Sequence, residues 1–354
     1  MHNKFKSIVS VIFISFYFVL GMFSQTSPKF TFGKTCLTIT DEFNLSNNLK
    51  VYRGQISEEE LDRTHPILGT IQIDELELHF TPLVPFGWNQ EYTFIYNNTI
   101  EYFTLEIPEA YNYLAVEAIY PSAKSLPSNL LKWYVQFSNP VNEVHVYDYI
   151  RFINNQGDTL SRTTLSLENA LISEDGKLLT VWIEPGRQKR DLIPNKQLGP
   201  VFENDAIYQL IVLKNIKDRQ GVSMQKDFTH LFKITHADRI QPSMGSFKIL
   251  PPENNDDLVI LLGESMDYGS TLNSMKIINA EKQEIYGEWQ LTNNESTLIF
   301  TPKHPWKKGQ YQVLIDSRLE DLAGNNLNRL FDSEVSILDK KQLYNEYKLE
   351  FGIK

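Results

Sequence analysis

Segment 187–202 is the strongest candidate for a binding site. It places four cations within 16 residues of a chain whose formal net charge is −10. These cations are Arg187, Lys189, Arg190 and Lys196. Arginine binds carboxylates and phosphates through paired hydrogen bonds, so Arg187 and Arg190 are candidates for holding an anionic group. In the alternative interpretation, the segment packs against a neighbouring module and its arginines pair with carboxylates there. The apolar residues interspersed among the charges favour this alternative.

Two tryptophans form a second candidate site. Trp88 and Trp306 occupy corresponding turns of a repeated sequence phrase, where exposed aromatic rings could stack on sugar rings. Their corresponding positions also fit a shared packing role in two related modules. We therefore keep carbohydrate binding at these residues as a prediction beside the packing interpretation.

The sequence contains none of the motifs that mark common catalytic or cofactor sites. The segment Gly263 to Asp267 lacks the second glycine of a nucleophile elbow, and no zinc-protease motif, P-loop or dinucleotide fingerprint occurs. The single cysteine, Cys36, excludes a thiolate metal site. His230 and His236 would lie about 20 Å apart on one strand, too far to share a metal ion. We predict no catalytic residue, no metal ligand and no cofactor.

The elements that must position these residues are strands, because apolar and polar residues alternate along much of the chain. One example is the segment 132–137, in which Trp133, Val135 and Phe137 share a face and the intervening residues share the other. Leu76, Leu78 and Phe80 likewise predict one buried face. This pattern is typical of half-buried strands in antiparallel sheets.

A phrase repeated at roughly hundred-residue intervals sets the domain organisation. Each copy has an apolar strand, a proline, a turn and a tyrosine that opens another strand, and the tyrosines are Tyr92, Tyr208 and Tyr311. The sequence therefore predicts an all-β fold of three tandem antiparallel β-sandwiches. We place them at 26–115, 116–238 and 239–338, with the insertion 187–202 in the second and a C-terminal strand or tail at 339–354.

The N-terminal residues predict export. Lys4 and Lys6 precede an apolar run from Ile8 to Phe23, followed by small and polar residues, which is the pattern of a signal peptide over residues 1–25. The alternative, an uncleaved anchor, would need about 20 apolar residues. We expect a periplasmic, outer-surface or secreted protein with no membrane span after cleavage. The acidic charge argues against nucleic acid as a partner.

The third copy resembles the bacterial Ig-like domains of surface-layer proteins. The residues that carry the resemblance are Pro251, Pro252, Leu298, Phe300, Thr301, Pro302, Gly309, Tyr311, Asp321, Ala323, Gly324 and Asn325. The second copy matches almost as far, ending in Asp218 and Gly221, whereas the first has Asn97 and Asn98 where that Asp-x-x-Gly tail is expected. The resemblance implies Ig-like sandwiches that act as spacers or adhesive modules, and it implies no catalytic residues.

We therefore expect an exported, non-enzymatic structural or binding protein of the cell envelope, with an envelope protein or polysaccharide as its possible partner. Two alternatives stay open. One is a secreted carbohydrate-binding or hydrolytic accessory protein, which would need two carboxylates about 5 to 10 Å apart in a cleft between modules. The other is a periplasmic subunit of an envelope machinery.

Overall fold

The computed structural model describes residues 27–42, 45–165, 167–253, 256–332 and 344–354. The predicted signal segment, 1–25, lies outside the described residues. The regular structure is almost all β, as predicted: the described residues form 22 strands in six sheets. In chain order these sheets form three pairs, which we call the first, second and third sandwiches.

The first sandwich has the sheets β1-β2-β5-β4 and β3-β6-β7. Its strands are β1 Lys29–Phe32, β2 Leu37–Thr40, β3 Leu49–Arg53, β4 Gly69–Asp74, β5 Glu77–Pro82, β6 Glu91–Tyr96 and β7 Thr99–Thr104. A short 3₁₀ helix spans Glu58–Arg63. Leu78 and Phe80 are buried in the core, but Leu76 is half exposed and precedes β5, so the predicted three-residue face loses its first member.

The second sandwich has the sheets β12-β10-β8 and β11-β13-β14-β9. Its strands are β8 Val116–Tyr120, β9 Ser125–Pro127, β10 Lys132–Phe137, β11 Ile150–Asn154, β12 Leu178–Trp182, β13 Ile207–Val212 and β14 Phe228–Thr235. All pairs are antiparallel except β14 with β9, which is parallel. Helix α1 Pro185–Gln188 leads into the insertion, helix α2 Ile193–Leu198 lies within it, and a 3₁₀ helix spans Val146–Tyr149.

The third sandwich has the sheets β15-β16-β20-β19 and β18-β17-β21-β22. Its strands are β15 Lys248–Leu250, β16 Leu258–Leu261, β17 Met275–Asn279, β18 Glu284–Ile285, β19 Gly287–Thr292, β20 Thr297–Pro302, β21 Gly309–Asp316 and β22 Glu346–Ile353. Helix α3 spans Tyr268–Asn273 and a 3₁₀ helix spans Met244–Ser246. The C-terminal strand β22 pairs with β21 along its whole length and buries Phe351 in the core of this sandwich.

The repeated tyrosines have the same hydrogen-bonding role in all three sandwiches. The hydroxyl oxygens of Tyr92, Tyr208 and Tyr311 accept main-chain N–H groups from the preceding turn, namely those of Gly87 (2.7 Å), Glu203 (3.0 Å) and Lys307 (3.2 Å). Each ring is buried. Because a buried hydroxyl needs a partner, the tyrosine fixes the turn to the sheet, which explains why it recurs.

The Asp-x-x-Gly tails form loops in which the aspartate accepts main-chain N–H groups. The Oδ1 atom of Asp218 accepts the N–H groups of Gln220 and Val222, and the Oδ1 atom of Asp321 accepts those of two loop residues. Gly221 and Gly324 have φ values of 85° and 78°, a region that favours glycine.

The first sandwich departs from this pattern because it ends in a β-hairpin. Asn97 and Asn98 form its two-residue turn, with φ values of 48° and 64°. Positive φ at both central residues is the geometry that Asn favours in such turns.

The described contacts divide the chain into two compact units, one ending at Ile107 and the other running from Pro108 to Lys354. The first sandwich lies in the first unit, and the second and third sandwiches share the second. No helix among the described residues is both long and apolar enough to cross a membrane.

Candidate functional site

Arg187, the first predicted binding cation, is buried inside its own segment. Its guanidinium donates to the main-chain oxygens of Gly199 (3.1 Å) and Pro200 (2.6 Å), and also to those of Ser161, Arg162 and Leu198. The residue is only 9% exposed, and burial lowers the pKa of its guanidinium. Its donors are therefore used to hold the two short helices against the second sandwich.

The remaining cations of the insertion also have partners within the chain. The Arg190 Nε atom donates to Asp332 at 2.6 Å, and this hydrogen bond raises the pKa of Arg190. The Lys189 ammonium lies 4.4 Å from the ring centre of Phe331. Lys196 lies 3.8 Å from Asp191, with both side chains largely exposed. These contacts support the packing interpretation of the segment, and anion binding here stays a prediction.

Trp88 and Trp306 are half buried, and each packs against the core of its own sandwich. The Lys34 ammonium lies 4.6 Å from the ring centre of Trp88. The Trp306 Nε1 atom donates to the main-chain oxygen of Asp256 at 3.0 Å, and its ring meets Tyr311 edge-on. The two residues thus share a packing role, and sugar binding at either stays a prediction.

The most unusual electrostatic feature is a buried ion cluster where the second and third sandwiches meet. The Lys132 ammonium on β10 lies 2.6 Å from Glu320 and 3.4 Å from Asp267, both in the third sandwich. The Lys132 and Asp267 side chains are 10% and 6% exposed, and the Glu320 side chain at the edge of the cluster is 26% exposed. Burial acts to lower the pKa of Lys132, but the two carboxylates outweigh it and the pKa is raised. The ammonium therefore stays charged inside the junction.

A group of aromatic side chains lies beside this cluster and extends the junction. The Tyr134 hydroxyl donates to Asp267 at 2.8 Å, and the Tyr120 ring stacks on Tyr268 with centroids 3.7 Å apart. Tyr134 is buried, and Lys132 is nearly so, which corrects the expectation that their face of β10 is open to solvent. The third sandwich packs on that face. The alternation of residue types predicts which residues share a face, but not that another sandwich packs on it.

Main-chain contacts and two glycines close the junction tightly. The Leu131 N–H donates to the Leu322 oxygen at 3.0 Å. The Ser122 hydroxyl donates to the Glu295 carboxylate at 2.6 Å. A Cβ atom on Gly269 would lie 2.7 Å from the Tyr134 hydroxyl oxygen, and one on Gly324 would lie 2.5 Å from the Leu131 side chain. Side chains larger than hydrogen at these glycines would push the two sandwiches apart.

Three carboxylates converge beside the junction, although the sequence predicted no metal ligand. Oxygen atoms of Asp238, Glu264 and Asp321 all lie within 4.8 Å of one another, and oxygen ligands are those that calcium prefers. Burial raises the pKa of Asp321 to about 7, and burial with the Asp238 charge raises that of Glu264. Asp321 already accepts three hydrogen bonds in its loop, so loop formation accounts for its position.

Sequence reasoning missed the junction because its members are far apart in the chain. Lys132, Asp267 and Glu320 come from β10, the residue that caps α3 and the loop after β21. The available signal was local: Asp267 precedes a helical segment, and Lys132 begins a strand just before two aromatic residues. Neither signal identifies the residues of the other sandwich that these side chains contact.

The fold and the junction together define a tandem β-sandwich protein. Residues 236–336 match the family model of the bacterial Ig-like domain, which confirms the resemblance predicted for the third copy. A search of the curated proteins finds no match.

Three of the solved structures that match parts of this chain share few residues with it. The N-terminal part of the bacterial S-layer protein SbsC is 14% identical, covering 57% of this chain and 40% of that one, with a TM-score of 0.23. Native alpha-2-macroglobulin from Escherichia coli, domains MG0-NIE-MG1, is 12% identical over 58% of this chain and 66% of that one, TM-score 0.23. The I9-I11 tandem from titin is 11% identical, with coverage of 78% and 87% and a TM-score of 0.20. This chain thus covers less than two thirds of the length of the SbsC and alpha-2-macroglobulin structures.

Replacement of Arg187 tests the packing interpretation of the insertion. We expect Arg187→Ala to lower the free energy of unfolding by roughly 2 to 4 kcal/mol, since it removes a buried guanidinium that donates to five main-chain oxygens. Arg190→Ala, at an exposed ion pair, should leave stability nearly unchanged. Urea denaturation measures both changes. If Arg187→Ala is as stable as the unaltered chain, its guanidinium is free for a ligand and the packing interpretation is wrong.

A double-mutant cycle tests the junction. We expect Lys132→Met to lower the free energy of unfolding by about 3 kcal/mol, since it leaves the buried Asp267 and the partly buried Glu320 without their cation. Asp267→Asn keeps the helix cap, so adding it to Lys132→Met should recover part of the loss. The exposed pair Arg219 and Glu143 is the matched control, with an expected coupling energy below about 1 kcal/mol. Equal coupling energies in the two cycles would contradict a buried, energetically important junction.

Proposed function

We propose that this chain is an exported, non-enzymatic protein of the bacterial cell envelope that serves as a structural or binding module. In it, the second and third sandwiches act as one rigid element that holds other surfaces at a fixed separation. The observation that carries the proposal is the buried ion cluster of Lys132, Asp267 and Glu320 between these sandwiches. A hinge would expose the three charges to water in some orientations and lose their fixed geometry, so the contact favours one arrangement.

The family match supports the bacterial and structural parts of the proposal. Ig-like folds are generally non-enzymatic, and function on such a scaffold depends on particular surfaces. Export rests on the sequence of residues 1–25, which lie outside the described residues, with Lys4 and Lys6 ahead of the apolar run. Periplasmic, outer-surface and secreted locations all fit this proposal.

The two alternatives differ in what they require of the junction. A hydrolytic accessory protein needs one carboxylate that can exchange a proton and another that is free to attack or to activate water. Asp267 is hydrogen-bonded to Tyr134 and to the start of α3, and Asp321 is bonded within its loop. These contacts favour the structural assignment over hydrolysis. A periplasmic subunit of an envelope machinery would use the same rigid element, so it differs only in its partner.

Distance measurements between spin labels test the rigid element. After Cys36→Ser, labels at Thr229→Cys on β14 and Glu288→Cys on β19 should give a distance distribution as narrow as that of a pair within the third sandwich, Lys276→Cys with Glu288→Cys. All three positions are exposed on strands. Lys132→Met should broaden the first distribution and leave the second unchanged. A broad first distribution in the unaltered chain would show a flexible junction and overturn the rigid-element proposal.

The mature N-terminus tests export. When the full chain is produced in a bacterium, mass spectrometry should find it outside the cytoplasm with its first residue near Gln25 or Thr26. A chain lacking residues 2–23 serves as the control and should stay in the cytoplasm. Recovery of the uncut chain from the membrane fraction would support the anchor alternative, and uncut chain in the cytoplasm would contradict export.

A further inference from the structure

A cleft in the third sandwich is separate from both the insertion and the junction. One wall is the segment 279–286, which runs from the end of β17 through β18 to Tyr286. The other wall is the segment 303–311, which joins β20 to β21. The cleft has a volume of about 810 Å³, and small-molecule sites in proteins span about 300 to 1,000 Å³. It is therefore large enough to hold a few linked sugar residues.

The walls of this cleft are held in place by the sandwich. The Tyr311 hydroxyl donates to the Lys307 oxygen at 2.8 Å and accepts the Lys307 N–H. The Lys303 N–H donates to the Tyr286 oxygen at 2.9 Å, which ties one wall to the other. Trp306 is anchored by its hydrogen bond to Asp256. A ligand would thus meet a largely preformed surface, which limits the entropy lost on binding.

The wall formed by segment 303–311 is positively charged, although the chain as a whole is acidic. Lys303, Lys307 and Lys308 are all exposed and line the cleft. None of the ion pairs formed by the described residues involves their ammonium groups. The acidic lining residues, Glu281 and Glu284, lie on the opposite wall. An anionic ligand would be attracted to the lysine wall and kept away from the other.

An exposed aromatic ring completes the cleft. Tyr286 is 69% exposed, which is unusual for a large aromatic residue and leaves its ring available for contact. Such a ring offers an apolar face with a polar hydroxyl at its edge, which suits the mixed surface of a sugar ring. The lysines would pair with the charged substituent while the ring contacts the sugar itself.

We propose that this cleft binds an anionic saccharide, a sugar unit that carries a carboxylate or a phosphate. The proposal goes beyond the structural role and does not depend on the junction, since all lining residues belong to the third sandwich. It adds the lysines and Tyr286 to Trp306, which lines the same cleft. Carboxylate and phosphate share the chemistry that ammonium groups recognise, so the experiment separates these two sources.

Isothermal titration calorimetry of the full chain with three oligosaccharide probes tests the proposal. The probes are a tetragalacturonate, a glycerol-phosphate oligomer that bears sugars, and uncharged maltotetraose. We expect at least one anionic probe to bind and the uncharged one to bind at least about tenfold more weakly. The anionic probe that binds more tightly identifies the charged group. Binding should weaken with added salt, which screens exposed charges.

Two variants place the site in the cleft. Lys303→Gln combined with Lys307→Gln and Lys308→Gln should weaken anionic binding about tenfold or more, and Tyr286→Ala should weaken it several-fold. The control removes the same charge from exposed lysines elsewhere, through Lys226→Gln, Lys248→Gln and Lys276→Gln, and should bind as the unaltered chain does. Thermal melting confirms that each variant folds.

Three results would overturn the proposal. They are the absence of binding by both anionic probes, equal binding of the uncharged probe, and an equal loss of affinity in the control variant. None of them would bear on the rigidity of the junction, which the spin-label distances measure independently.

Discussion

The arrangement of the second and third sandwiches depends on one buried ammonium group. Lys132 lies on a strand whose opposite face forms the core of the second sandwich, so its side chain must leave that core and enter the contact with the third. A charge removed from water is tolerated only when opposite charges and hydrogen bonds replace the water. Asp267 and Glu320 provide them, and both must stay near Lys132 for the contact to persist. The ion cluster thus turns a surface contact into a fixed orientation.

The surroundings of this cluster make the orientation specific. Asp267 also accepts the Ser270 N–H at the start of α3 and the Tyr134 hydroxyl, so its position is set from two directions. The stacked rings of Tyr120 and Tyr268 add apolar contact beside the charges. Gly269 and Gly324 leave no room for a Cβ atom, so the Tyr134 and Leu131 side chains pack directly against the main chain of the third sandwich. A sliding motion of one sandwich against the other would break several of these contacts together. Two sandwiches joined only by a loose linker would have no such contacts to lose.

Much of the fold could be predicted from the sequence, because it depends on local patterns. Alternating residues predicted the strands, and the repeated phrase predicted an equivalent turn before each of its tyrosines. The family resemblance of the third copy follows from the same patterns. What could not be predicted are contacts between distant segments, such as the cover over Tyr134. The convergence of Asp238, Glu264 and Asp321 is of this kind too, since each residue alone is typical of a turn or a strand end.

The two basic segments of this acidic chain show why a cluster of cations in a sequence does not by itself identify a binding site. In the insertion, the planar guanidinium of Arg187 can satisfy several carbonyl acceptors at once, so the protein uses it to close a loop. In the third sandwich, the lysines at 303, 307 and 308 end in compact ammonium groups that stay hydrated on an exposed turn. Arginine is the better residue for internal packing of a polar loop, and lysine is the better one for remaining in solvent. Burial therefore distinguishes cations that the fold uses internally, such as Arg187 and Lys132, from cations that stay exposed, such as these lysines.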